Sequence, residues 1–253
     1  MSLTSHLAEL RQRLIIALGA FTLAALVVYI RYPAVLSFLE HPYCSTLSAH
    51  QTCSLYVTGP LDGFAIRLNV TAYGGLVLGS PVLFFELWRF VTPGLKANER
   101  RYAIPFVLAT SALFVSGAGV AWLTFPHALG FLHAVGGPGI QDIFAPGQYI
   151  GLIMALMAIF GLSFEFPVVL VALELAHVVT PAMLARARRI AIICIVVVSG
   201  VVTPSSDPFS MLAMAVPMLA FYEISILVGK GLARSESHRR STTSDPTPAV
   251  APK

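Results

Sequence analysis

Glu165 stands near the middle of an apolar run, Ile150–Leu175. An ionised carboxylate at the centre of a membrane helix costs about 2.5–3.5 kcal/mol on insertion scales. A carboxyl kept there must be protonated, paired or facing water. Two readings follow: a neutral acid bonded to a neighbouring helix, or a polar site on a cavity or partner-facing surface. Such an acid can also carry a proton, which makes a proton-coupled small-solute transporter the alternative function. Two further acids, Glu9 and Glu99, sit inside basic segments. Leu3, Leu7, Leu10 and Leu14 form one helical stripe, so Glu9 and Arg13 make an i,i+4 pair worth only about 0.2–0.5 kcal/mol. The other reading brings Glu9 and Glu99 together on an external cation. Two carboxylates facing two guanidinium groups make bidentate, charge-assisted contacts. Glu86, Glu174 and Glu223 lie nearer the ends of their apolar runs, a position that predicts snorkelling to the interface.

Other chemistry is excluded by its missing motifs. The chain has no H-E-x-x-H, G-x-S-x-G, C-x-x-C or Gly-rich phosphate loop, so neither an enzyme nor a cofactor or metal site is expected. His6, His41, His50, His127, His133, His177 and His238 show no ligand spacing. Cys44 and Cys53 share one loop, where a disulfide can form if the loop faces an oxidising compartment; two unpaired thiols are the alternative. Cys194 reads as a small apolar filler.

The elements that must position these residues are membrane helices. Of 253 residues, 57% are hydrophobic and 11% charged, less than half the charge of about 25% that solvates a soluble domain. The basic residues form short clusters between apolar runs, which argues against nucleic acid as a partner. Apolar runs at Leu14–Ile30, Val70–Val91, Ala103–Phe125, Ile150–Leu175, Ile190–Val202 and Phe209–Val228 predict six spans. The fifth, at about 1.5 Å per residue, covers only about 20 Å. Its hairpin stops short of one face, thins the membrane, or forms a re-entrant pair. Run one is long for a signal peptide and is read as an uncleaved span. Of the 16 Lys and Arg, all but Arg31 and Arg67 fall on one side of this layout. The positive-inside rule then places both termini in the cytoplasm. Residues 1–234 are expected to form one transmembrane domain, with a first outer loop at about 31–69 and a second at about 126–147. Residues 235–253, rich in Ser, Thr and Pro, are expected to be a disordered tail. Pro81, Pro105, Pro167 and Pro217 favour kinks in their spans.

Four segments, in order, resemble the TatC family, the large subunit of the twin-arginine protein translocase. They are His6-Leu7-Ala8-Glu9-Leu10-Arg11-Gln12-Arg13-Leu14; Ser80-Pro81 through Phe84-Phe85-Glu86-Leu87-Trp88-Arg89-Phe90 to Pro93-Gly94-Leu95 and Glu99-Arg100-Arg101; Phe160-Gly161-Leu162-Ser163-Phe164-Glu165-Phe166-Pro167; and Thr203-Pro204-Ser205-Ser206-Asp207-Pro208 with Pro217 and Glu223. The resemblance covers nearly the whole chain before the tail. It implies an all-α, glove-like concave bundle with both termini inside, kinked helices and short fifth and sixth spans, in the bacterial cytoplasmic (inner) membrane. It implies a receptor for twin-arginine signal peptides of folded cargo, with Glu9 and Glu99 as the binding acids and Phe90, Leu95, Arg100 and Arg101 around the second. Glu165, with Phe164, Pro167, Asp207 and Met211, matches the face associated with single-span TatA and TatB partners in an oligomeric translocase. Transport in the family uses the protonmotive force and no nucleotide. Met211 stands where the family often has Gln, and the Cys44/Cys53 pair is an addition to its pattern.

Overall fold

The computed structural model describes residues 3–44, 59–91, 103–137, 145–175, 178–205 and 207–243. These residues form helices only: α1 (Leu3–Ile30), α2 (Tyr32–Cys44), α3 (Asp62–Val91), α4 (Ala103–Gly136), α5 (Pro146–Ser163), α6 (Phe166–Leu175), α7 (Pro181–Val202) and α8 (Pro208–Thr243). Among them, five stretches are long and apolar enough to cross a membrane: Leu7–Ile30, Asp62–Arg89, Phe106–Gly136, Pro146–Glu174 and Pro208–Gly231. The chain is thus a multi-pass helical membrane protein. Helix α7 has 22 residues, about 33 Å at 1.5 Å each, but Arg186, Arg188 and Arg189 leave only its second half apolar.

The exterior is greasy in the way lipid requires. Leu14, Leu18, Leu23, Leu26 and Ile30 on α1, and Ile190, Ile193 and Val201 on α7, are all exposed. In lipid this leaves packing and polar contacts, rather than water exclusion, to hold helices together. The centre is filled by Phe114, Phe125, Ile153, Phe160, Met214 and Ile226, each almost wholly buried on α4, α5 and α8. Helices α1 and α3 form the other main packed pair.

The fourth apolar run is not one helix. Helix α5 ends at Ser163 and α6 begins at Phe166. Phe164 N–H still bonds the Phe160 carbonyl at 3.0 Å, but Glu165 N–H turns tighter, to Leu162 O at 3.1 Å, and Val169 N–H then bonds Glu165 O at 3.1 Å. Pro167 lies in the first turn of α6, where its missing N–H breaks no intrahelical bond. The helices around Pro81 and Pro217 continue in helical form past those residues. Pro105 lies in the first turn of α4, and among the described residues Pro167 is the one of these prolines beside a break within an apolar run.

Helix α2 occupies part of the stretch expected as an outer loop. It is docked by side chains from two other helices: Trp122 Nε1 donates to Phe38 O at 3.2 Å, and the Tyr149 hydroxyl donates to Leu39 O at 2.8 Å. The Phe38 and Trp122 rings stack at 4.9 Å. Cys44, the last residue of α2, is disulfide-bonded, while Cys53 lies outside the described residues. Cys194, read as a small apolar filler, is free and exposed on an apolar face of α7. The stretch read as a tail from Ser235 begins within α8, which continues to Thr243.

Burial pushes the Glu40 carboxyl on α2 above the usual carboxylate range. Burial likewise raises the Tyr32 hydroxyl; the Glu40 charge adds to this and Arg67 opposes it. Arg67 itself lies over the Tyr29 ring at 4.0 Å. With its pKa raised on folding, Glu40 favours the folded state while protonated, and that contribution is lost as pH rises through the folded value. Glu40→Gln should therefore melt slightly above the parent at about pH 8, and the gap should narrow as pH falls and Glu40 takes up its proton. A thermal-unfolding series across that range checks this; a gap that widens on acidification would reverse the sign.

Candidate functional site

The antiparallel packing of α1 on α3 sets the first half of α1 beside the last turns of α3. Between them opens a polar cleft of about 220 Å³ lined by Glu9, Gln12, Arg13, Ile16, Glu86 and Arg89. Arg13 Nη2 donates to Glu9 Oε1, the i,i+4 pair that the spacing allowed. Arg13 Nη1 also lies 3.7 Å from Glu86 Oε2, too far for a hydrogen bond but within an ion pair. Side-chain exposure falls from 27% at Glu9 to 14% at Arg13 and 8% at Glu86, so Glu9 is the acid nearest solvent. Arg13 Nε and Nη1 and Glu86 Oε2 are buried without hydrogen bonds. The α3 side of the cleft is braced by α4: Trp88 stacks on Phe106 with centroids 3.7 Å apart, and Phe84 meets Phe114 edge-on at 5.5 Å.

The break between α5 and α6 carries the second group. Glu165 is partly buried there, and its Oε1 accepts no hydrogen bond. Phe164 is buried and packs edge-on against Phe221 of α8 at 5.2 Å, and Pro167 is also buried. Asp207 is buried at the start of α8, where its Oδ1 accepts from Ser210 N–H at 2.8 Å, the geometry of a helix N-cap. Met211 packs beside Gly200 of α7. Asp207 precedes Phe221 by 14 residues, about 21 Å along α8. Asp207 therefore lies about four helical turns from the residue of α8 that Phe164 meets.

Residues 5–217 match the family described as Sec-independent protein translocase protein (TatC). The chain belongs to the TatC family. That family is a component of a protein translocase, a transport subunit rather than an enzyme. The TatC of Frankia casuarinae is 41% identical over 90% of this chain, which spans 65% of that relative's own length. The TatC of Aquifex aeolicus is 34% identical over 93% of this chain and 98% of its own. The crystal structure of the twin arginine translocase receptor TatC in DDM superposes with a TM-score of 0.74 at 33% identity, covering 88% of this chain and 99% of that one.

Against the TatC pattern, Glu9 falls at the mouth of the polar cleft. Phe90 falls in the last turn of α3, with its side chain outside the described residues. Leu95, Glu99, Arg100 and Arg101 also lie outside them. Sequence reasoning missed Glu86 and Glu174 as buried groups. Both were expected to snorkel; instead they are 6% and 7% exposed. Glu86 turns towards Arg13, and Glu174 turns towards Gly229 of α8, where an added Cβ would stand 2.2 Å from Glu174 Oε2. Their signal was the rarity of an acid within an apolar run, which marks a packed or functional group, though not which face carries it. Glu223 is exposed and accepts from Arg188 of α7 at 2.7 Å, a surface pair of small stabilising value. Among the described residues, no group of three or more His, Cys, Asp or Glu is placed to hold a metal.

Proposed function

We propose that this chain is the signal-receptor subunit of a twin-arginine translocase. The observation that carries the reading is Glu9: an acid at the solvent side of a polar cleft, within a segment that has the family's pattern. A carboxylate so placed suits the guanidinium of a twin-arginine signal peptide. Glu99, Phe90, Leu95, Arg100 and Arg101 complete the site, and folded cargo follows the bound signal. Helix α7 is the short fifth of six crossings, both termini are cytoplasmic, and the membrane is the bacterial inner one. The concave, glove-like side carries Glu165, Phe164 and Pro167 for single-span TatA and TatB-type partners in an oligomer, with Asp207 and Met211 at its other end. Export draws on the protonmotive force, and no cofactor is required.

The test is binding of a fluorescent twin-arginine signal peptide to the protein in nanodiscs, beside the same peptide carrying Lys-Lys. Arg-Arg should be preferred, and Glu9→Gln should weaken its binding about tenfold, the equivalent of about 1.4 kcal/mol. The substitution keeps shape and removes charge. Equal binding of both peptides, or an unchanged affinity in Glu9→Gln, would rule the site out.

A further inference from the structure

Arg13 reaches towards two carboxylates and satisfies only one. It bonds Glu9 through Nη2, while Nη1 and Nε remain buried without hydrogen bonds. Glu86 Oε2, on the facing helix, is equally buried and equally unbonded, 3.7 Å from Nη1. A guanidinium carries five donors in a fixed fork suited to bidentate contact with a carboxylate. The unsatisfied atoms therefore mark a second seat for Arg13 that the present arrangement leaves unused. The cleft beside them, about 220 Å³, gives the side chain room to move.

We propose that Arg13 is exchanged between Glu9 and Glu86 during signal recognition, with Glu86 as the positioning residue that receives it. The proposal rests on the receptor reading above. In the free protein Arg13 occupies Glu9, the acid that the incoming guanidinium needs. When the peptide arrives, Arg13 turns to Glu86, and Glu9 pairs with the arginine of the signal. Before the peptide arrives, one guanidinium is shared unequally between two carboxylates; afterwards there are two guanidinium groups, one for each acid. Without Glu86, releasing Glu9 would leave a buried guanidinium unpaired, which is costly. Gln12 and Arg89 line the same cleft, and Arg89 is engaged in contacts of its own.

The experiment compares peptide binding to the full chain in nanodiscs for the parent, Glu86→Gln and the double variant Arg13→Gln/Glu86→Gln. Glu86→Gln should bind the twin-arginine peptide about tenfold more weakly, because Arg13 then has no seat but Glu9. The double variant removes the competitor together with the buried carboxylate that faces it. It should bind at least as tightly as the parent, a reversal that a merely structural Arg13–Glu86 clamp does not produce. Parent-like binding by Glu86→Gln, or a double variant as weak as the single one, would overturn the exchange. If Glu9→Gln loses binding while Glu86→Gln does not, the receptor reading stands and this one falls. If the parent fails to distinguish Arg-Arg from Lys-Lys, both fall together.

Discussion

Gly117→Ala should destabilise the protein by about 2–3 kcal/mol, the cost of forcing one methyl group into a filled interface. A Cβ at this position would stand 2.6 Å from the Phe160 carbonyl oxygen and 2.8 Å from Phe164 Cγ. The carbonyl belongs to the backbone of α5 and cannot rotate away, so α4 and α5 would have to separate. Their separation would loosen Phe114, Phe125 and Phe160, which are at most 1% exposed. It would also press on Phe164, next to the break that carries Glu165. Gly119 supplies the control. It lies on the same helix, but an added Cβ there meets nothing within 4 Å. Gly119→Ala should gain about 0.5–1 kcal/mol, because alanine loses less freedom in a helix. Thermal unfolding of the two variants in one detergent decides the matter: opposite shifts are expected, and equal shifts would mean that the close approach of α4 to α5 is not what holds them.

Glu174→Met should stabilise the protein by about 1–3 kcal/mol, the range assigned to a buried polar group without partners. Neither carboxylate oxygen of Glu174 accepts a hydrogen bond, although the residue is 7% exposed and pressed against α8 at Gly229. Methionine keeps the length and flexibility of the side chain while removing the polar atoms. Gly229→Ala acts on the same contact from the other side. Its Cβ meets the far end of a side chain rather than backbone, so the carboxylate can swing aside and the cost falls below that of Gly117→Ala. Measured in the Glu174→Met background, Gly229→Ala should show coupling between the two sites. A loss of stability in Glu174→Met would mean that the carboxylate is satisfied by contacts it does not make in this arrangement.

The spans were legible because a helix facing lipid must be apolar around most of its circumference, and such runs stand out from any soluble pattern. Their ends were less so. Helix α4 extends to Gly136, past the apolar run that stops at Phe125, since His127 and His133 can be helical without being greasy. Helix α2 was not legible: its docking bonds come from Trp122 and Tyr149, far away in sequence. The arginines of α7 explain why its 22 helical residues read as 13 apolar ones. In the site, the Glu9–Arg13 pair followed from spacing alone. Glu86 did not, because distance from the end of a run says nothing about which helix face a residue occupies. The same blindness misplaced Glu174.

The way α2 is held bears on how this chain can change over evolutionary time. Trp122 and Tyr149 reach the carbonyl oxygens of Phe38 and Leu39, and a main-chain carbonyl is present whatever side chain stands beside it. Substitutions along α2 leave both hydrogen bonds available, provided that the helix itself survives. Replacing either donor removes an attachment outright. Selection on these two hydrogen bonds therefore falls on α4 and α5, while on α2 it falls on the side chains that pack, such as Phe38 against Trp122 and the buried Leu39.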